Sequence, residues 1–231
     1  MDKQNQDELK KRAAIKAASL VRSGMKLGIG TGSTVAYLID ELGRRKKEEH
    51  LELAAIVTTS SRSKRQMERW GFQVNELAEV DQLDLTIDGA DRFATDFSGI
   101  KGGGGALTME KNVAVNSKKI IWIVDESKVV DYLSGFPLPV EVLPISCEQN
   151  FRRFQAQGLK PTWRMAADEK RFVTHYGNYI IDLNIEQILV PQGLAAYLDH
   201  MVGVVEHGLF INMCDEVIIA HTNGKIEQRK K

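Results

Sequence analysis

The chain has 231 residues, 43% hydrophobic and 27% charged, enough for one large α/β domain or a main domain with a small companion. Its 31 Lys and Arg offset 31 Asp and Glu, so no global field draws it to nucleic acid or an anionic membrane, and affinity for a phosphate must arise from local geometry. The longest apolar runs, such as Ile120 to Val124, fall far short of the roughly 20 residues of a membrane span, and the charged start MDKQNQDELKKRAA lacks the apolar core of a secretory signal.

Residues 7–22 place Leu9, Ala13, Ala17, Leu20 and Val21 on one helical face, and Gly24 ends that helix. MKLGIG follows as a short buried strand, then a helix with Val35, Leu38, Ile39 and Leu42 on one stripe. Ala54 to Thr58 reads as a strand and Ser61 to Trp70 as a helix; strand segments are expected at Phe72–Asn75, Leu83–Asp88 and Ile120–Val124. Alternation of this kind, with near-continuous apolar strands, predicts a parallel sheet covered on both faces. The rhythm breaks at FPLPVEVLP, where Pro137, Pro139 and Pro144 enforce extended chain. Beyond it come a helix around Glu148–Gln157, strands at RFVTH and NYIIDL, a helix near Gln192–His200 and a strand at VGVVEHGLF, a smaller α+β unit. EVIIAHTNG returns as the last strand of the main sheet, and KIEQRKK reads as a frayed tail. The expected domains are therefore 1–131 with 206–231, and 132–205, the latter the expected oligomer contact. Cys147 and Cys214 are far apart with no CxxC, which argues against a disulfide framework and fits a reducing cytoplasm.

In open parallel sheets ligands bind beyond the carboxyl ends of the strands, and four clusters fall there. GIGTGSTV brings Gly28, Gly30 and Gly32 before Ser33 and Thr34 at a helix start, suited to a phosphate or simply to a capped turn. A dinucleotide fingerprint would need glycine at position 33 and an acid after the second strand, where Thr58, Thr59 and Ser60 stand, and no GxxxxGK[ST] run is present. DGAD sets Asp88 and Asp91 about a Gly-Ala turn, either converging on a polar ligand or forming an Asx-type turn. KGGGGALTMEK is the strongest signal, because four consecutive glycines each cost about 0.5–1 kcal/mol of chain entropy relative to alanine, which a loop bent around a ligand explains better than a linker. Lys101 enters this loop and Glu110 follows in the first turns of a helix. Alone, the one reads as a solvated cation and the other as a carboxylate favoured by the helix dipole. His50, His175, His200, His207 and His221 are scattered without metal-ligand spacing, so no metal is expected, and no GxSxG elbow exists to support a Ser/His/Asp triad; proton transfer between adjacent carbons also requires no cofactor.

Aldose–ketose interconversion suits these parts. One carboxylate moves a proton between adjacent carbons, and a cation or hydrogen-bond donor stabilises the enediolate. Glu110 is the candidate base, Lys101 the electrostatic partner, and Asp88 and Asp91 candidates for hydroxyl protons and ring opening.

GIGTGSTV, DGAD, KGGGGAL with the following EK, VDESK (124–128) and FPLPVEV (136–142) together resemble the ordered motifs of type A ribose-5-phosphate isomerases, over nearly the whole chain. The resemblance implies a Rossmann-like main domain with a small α+β domain, a homodimer or homotetramer, and reversible conversion of D-ribose 5-phosphate to D-ribulose 5-phosphate in the non-oxidative pentose phosphate pathway. It implies Glu110 as proton acceptor. The substrate loops it implies are Thr31, Gly32, Ser33 and Thr34; Asp88, Gly89, Ala90 and Asp91; and Lys101, Gly102, Gly103 and Gly104, with Lys128 as a further contact. Two departures stand out: Arg92 and Phe93 follow DGAD where family members usually have an acid and an aliphatic, and Met109 stands where arginine often precedes the glutamate. The alternatives are a non-catalytic sugar-phosphate sensor, although residues 1–22 offer only one helix before the first strand, and a related sugar-phosphate isomerase or deaminase.

Overall fold

The computed structural model describes residues 3–231. The chain divides into two compact units: one comprises the segment through Ala90 with Met109–Val129 and Asn212–Lys231, the other Asp91–Thr108 with Val130–Ile211. Residues 91–108, grouped with the main domain by sequence reading, cluster with the second unit instead.

The first unit is built on six strands: β1 (Lys26–Ile29), β2 (Ala55–Thr58), β3 (Leu85–Gly89), β4 (Ile120–Asp125), β5 (Glu216–Ala220) and β6 (Ile226–Lys230). Their order is β6-β5-β4-β3-β1-β2; the first five in sequence pair in parallel and β6 is antiparallel to β5. Helices α1 (Lys3–Ala18), α2 (Ser33–Glu49), α3 (Ser61–Arg69) and α4 (Leu107–Val115) accompany them. Period-two alternation sends neighbouring side chains to opposite faces. Leu27, Ile29, Ile56, Ile87, Ile121 and Ile123 join Ala13, Ala17, Val35, Leu38, Ile39 and Leu42 of α1 and α2 in one core. Val57, adjacent to Ile56, turns the other way and packs with Val80, Leu83 and Val113 of α4. Each such fully buried Leu or Ile contributes about 1.5–3 kcal/mol relative to exposure. Gly28 allows α4 its approach: a Cβ there would stand 2.8 Å from Val113 Cγ1.

Two expectations in this unit fail, one of a strand and one of a frayed tail. Phe72–Asn75 is not a strand; Asn75 donates its N–H to Ile56 O (2.7 Å) and accepts Ile56 N–H on Oδ1 (3.2 Å), closing the free edge of β2 with one residue. KIEQRKK is not frayed, because the chain turns at Asn223–Gly224, with Gly224 at φ +93°, and returns as β6. Its charges pair along the edge, with Glu227 held by Arg229 (2.6 Å) and His221 (2.8 Å), as suits an exposed edge strand.

The second unit is α+β. Its antiparallel sheet runs Pro161–Trp163, Tyr179–Leu183, Leu138–Val142, Val204–His207, and helices Cys147–Ala156 and Pro191–Asp199 accompany it. Val140, Val142, Phe154, Ile181, Leu183 and Leu198 form its core. RFVTH makes isolated bridges, Met165 to Arg171 and Val173 to Tyr179, because its N–H groups divide between two segments, Phe172 donating to Arg164 O (2.8 Å) and Thr174 to Asn178 O (2.9 Å). Short antiparallel pairs join Arg92–Ala94 to Gly99–Ile100 and the latter to Leu209–Phe210.

Candidate active site

In the first unit the turn from β1 into α2 is locked to the end of β3. Gly30 donates its N–H to Ile87 O (3.0 Å), and Ser63 donates its hydroxyl to Gly30 O (2.7 Å). Asp88, 2% exposed, accepts the N–H of Thr31 (3.0 Å) and of Gly89 (2.7 Å). Its carboxylate fills the space over Gly30, where an added Cβ would stand 1.8 Å from Oδ1. Thr31 Oγ1 lies 2.7 Å from Thr59 Oγ1. Gly32, at φ +126° and ψ 176°, is the N-cap of α2 and supplies no side-chain cap; a side chain would be strained in that conformation. Its carbonyl takes the first helical bond from Ala36 (3.1 Å), while Ser33 and Thr34 open the positive end of a 17-residue helix. This arrangement suits an anion such as a phosphate.

Glu110 lies in the first turn of α4 and is 5% exposed. The opposite end of α4 meets the start of β3, since Leu83 donates its N–H to Asn116 O (2.9 Å) and Lys118 to Leu83 O (2.9 Å). The helix therefore runs antiparallel to the strands, and its first turn lies toward their carboxyl ends, the side on which β1 and β3 deliver Thr31 and Asp88. Lys128 ends a short 3₁₀ turn after β4. Asp125 caps that turn by accepting Ser127 N–H (3.0 Å) and the Ser127 hydroxyl. Glu126 braces it, accepting from Thr222 Oγ1 (2.5 Å) and facing His221 Nδ1 (3.0 Å). The Thr222 hydroxyl first, with His221 adding to it, holds the Glu126 carboxyl below the usual carboxylate range.

In the second unit the glycine loop is fixed from several directions. Gly102 (φ +98°) and Gly105 (φ +76°) adopt left-handed backbone, and Gly105 donates its N–H to Gly102 O (2.9 Å). Gly103 has no room for a Cβ, which would lie 2.8 Å from Asp91 and 2.9 Å from Phe136; its N–H donates to Asp91 Oδ2 (2.8 Å). Gly104 is exposed. Lys101 is 3% exposed, donates its N–H to Gly208 O (2.9 Å) and holds its ammonium 5.3 Å from the Phe210 ring centre. Asp91 and Lys101–Gly104 are thus grouped in this unit, whereas Thr31–Thr34, Asp88–Ala90, Glu110 and Lys128 belong to the first.

Two supporting residues escaped sequence reading. Arg164 donates from Nη1 to Gly102 O (2.7 Å) and Gly103 O (3.2 Å); it stands some sixty residues away, with no local signal of its role. Glu141, 1% exposed, accepts from the hydroxyls of Thr108 and Thr174 (2.7 Å for the latter) and from Asn178 Nδ2 (2.9 Å). An acid within the apolar strand LPVEV was a legible signal, since buried carboxylates require donors. His207 comes close to Asp199 and Glu206, a grouping with metal-ligand atoms. Leu209 donates its N–H to His207 Nδ1 (3.2 Å), however, so the ring proton sits on Nε2, facing Asp199 Oδ1 at 3.0 Å. It is a hydrogen-bonded histidine.

The family model for ribose 5-phosphate isomerase A (phosphoriboisomerase A) matches residues 55–224. The chain belongs to the ribose 5-phosphate isomerase A family. It is 71% identical to the ribose-5-phosphate isomerase A of Lactobacillus acidophilus, with 100% of both chains covered. Among solved structures it is similar to a D-ribose-5-phosphate isomerase in complex with phospho-erythronic acid (33% identity, 100% of both chains, TM-score 0.94). It is also similar to ribose 5-phosphate isomerase A from Methanocaldococcus jannaschii (36% identity, 98% and 100% covered, TM-score 0.91).

Full-length membership of an isomerase family weighs against the sensor alternative. The structure also accounts for both departures from the family pattern. Met109 packs against the Val57, Val80, Leu83 and Val113 cluster, so its thioether occupies core rather than site. Arg92 donates to the carbonyls of Ser134 (2.9 Å) and Asp91 (2.8 Å), while Phe93 is fully buried.

Proposed function

We infer that the chain interconverts D-ribose 5-phosphate and D-ribulose 5-phosphate through an enediolate, a step of the non-oxidative pentose phosphate pathway. Glu110 removes the proton from C2 of the open-chain aldose and returns it to C1. Helix α4 presents this carboxylate in its first turn, at the positive end of the helix dipole, and burial keeps competing water away. Lys101 stabilises the two oxygens as negative charge spreads over them. Asp88 and Asp91 move hydroxyl protons, including in ring opening. Thr31, Gly32, Ser33 and Thr34 hold the phosphate, and Gly89, Ala90, Gly102, Gly103, Gly104 and Lys128 complete the substrate contacts. The observation that carries this reading is the buried carboxylate at position 110, in the first turn of α4, in a chain of this family.

Phospho-erythronic acid, bound in the relative 33% identical, is expected to compete here too, because its carboxylate presents two oxygens as the enediolate does. The same reading takes the active form as a homodimer or homotetramer. Exposed apolar side chains of the second unit, among them Tyr132, Leu189 and Val190, support a contact there. It also takes the compartment as cytoplasmic, in keeping with two buried thiols; no helix among the described residues is long and apolar enough to cross a membrane.

The test is a turnover assay on ribose 5-phosphate before and after EDTA treatment, with phospho-erythronic acid as inhibitor. Equal rates in both arms are expected. Loss of turnover on chelation would overturn the metal-free mechanism, and absence of turnover in both would overturn the substrate assignment.

A further inference from the structure

We propose that Arg164 is a positioning residue for the glycine loop, clamped by Asp182 so that its remaining donors set the peptide planes from Gly102 to Gly104. This rests on the functional reading above, which takes that loop as a substrate contact. Arg164 and Asp182, each 14% exposed, form a two-point pair, Nε donating to Oδ2 (2.9 Å) and Nη2 to Oδ1. That fork fixes the guanidinium plane and leaves Nη1 aimed at the loop. There its two protons meet Gly102 O (2.7 Å) and Gly103 O (3.2 Å).

A trans peptide points its C=O and its N–H in opposite directions within one plane. The Gly102–Gly103 peptide is therefore held at both ends, its oxygen by Arg164 and its N–H by Asp91 (2.8 Å). The clamp thus fixes Asp91, one of the two proposed proton-handling carboxylates, through a shared peptide. The next peptide has its oxygen on Arg164, which turns the N–H of the exposed Gly104 away from the guanidinium and, on the functional reading above, leaves it to donate to the substrate. Four glycines in a row have no intrinsic preference for this arrangement. Lysine cannot replace arginine here, because one ammonium cannot hold a carboxylate at two points and two carbonyls in one plane.

Two measurements on the full chain test this. The first is hydrogen exchange of the ligand-free protein over the peptide spanning Gly102–Gly105, which does not depend on catalysis. Arg164→Met and Asp182→Asn are each expected to speed exchange at Gly103 and Gly105 by at least about tenfold, with the cores of both units unchanged. The second is steady-state kinetics on ribose 5-phosphate. Arg164→Met is expected to lower kcat about 10–100-fold with KM changed by less than about threefold, since small misplacements cost rate more than binding. Added guanidinium should restore part of the rate to Arg164→Met, and Arg164→Lys should recover little. Unchanged exchange in both variants would overturn the proposal, as would wild-type kcat in Arg164→Met. A rate loss that guanidinium leaves untouched, accompanied by global loss of protection, would show a merely structural role and also overturn it. If Arg164→Met does not fold, Asp182→Asn, which keeps the arginine but releases its tether, decides alone. Failure of the wild type to turn over ribose 5-phosphate would count against the function, while the exchange result still judges the clamp.

Discussion

Replacing Gly30 by alanine tests the link between the β1 turn and the carboxylate at the end of β3. The added methyl would stand 1.8 Å from Asp88 Oδ1 and 2.0 Å from its Cγ. Nonbonded contact requires roughly 3.5 Å, so the carboxylate must retreat by about 1.5 Å. It then loses the N–H bonds from Thr31 and Gly89. Hydrogen bonds to a charged group contribute about 1.5–3 kcal/mol each, giving a destabilisation of about 3–6 kcal/mol and a Tm lowered by about 6–24 °C for a chain of this size. Gly30 does not adopt positive φ, so the effect is steric rather than conformational. Gly24→Ala is the opposite control: φ is +84° with nothing within 4 Å, so strain alone costs about 1–2 kcal/mol and turnover is unaffected. Thermal unfolding and ribose 5-phosphate turnover are measured for Gly30→Ala alone and combined with Asp88→Ala. The alanine should cost much less stability once the carboxylate is gone. Wild-type Tm and kcat in Gly30→Ala, or strictly additive losses in the pair, would show that the methyl does not displace the Asp88 carboxylate.

Two further outcomes follow from buried or paired carboxylates. Glu141→Leu leaves Thr108, Thr174 and Asn178 without their acceptor and should destabilise by about 3 kcal/mol or more, with Glu141→Gln milder; equal unfolding midpoints for all three proteins would contradict this. Thr108 sits in the first turn of α4, two residues before Glu110, so the leucine variant should also lose turnover. The Arg229 guanidinium, aided by His221, lowers the Glu227 carboxyl to about 2 from its ordinary 4.5. A depressed folded-state pKa means stability that is present above about pH 4.5 and lost as pH falls toward 2. Tm measured from pH 6 to 2.5 should therefore fall less steeply in Glu227→Gln than in the wild type, and parallel curves would remove the pair from the acid response.

Much of the fold was legible because the first unit obeys local rules. Short apolar strands alternating with amphipathic helices gave β1 to β5 and α1 to α3 within a few residues, and three prolines marked the change of character at FPLPVEVLP. The failures also have local causes. KIEQRKK looked like a tail because an edge strand carries charge, although Asn-Gly ahead of it was a hairpin signal that outweighed composition. RFVTH has strand-forming residues but no continuous partner, which no single-segment reading detects. At the site, glycine runs and strand-end acids were visible because they break ordinary sequence economy. The boundary at Asp91 was not visible, since it depends on contacts Asp91–Thr108 makes with residues far along the chain. Arg164 was invisible for the same reason, its carbonyl partners lying some sixty residues away.

Glu110 is the proposed carrier of the C2 proton, and Glu110→Gln tests that role with little change in shape. The amide retains size and polarity but cannot accept the proton. Binding of phospho-erythronic acid within a few-fold of wild type, with kcat on ribose 5-phosphate reduced by about a thousandfold or more, is the result expected. A folded Glu110→Gln protein that isomerises ribose 5-phosphate at near the wild-type rate would contradict it.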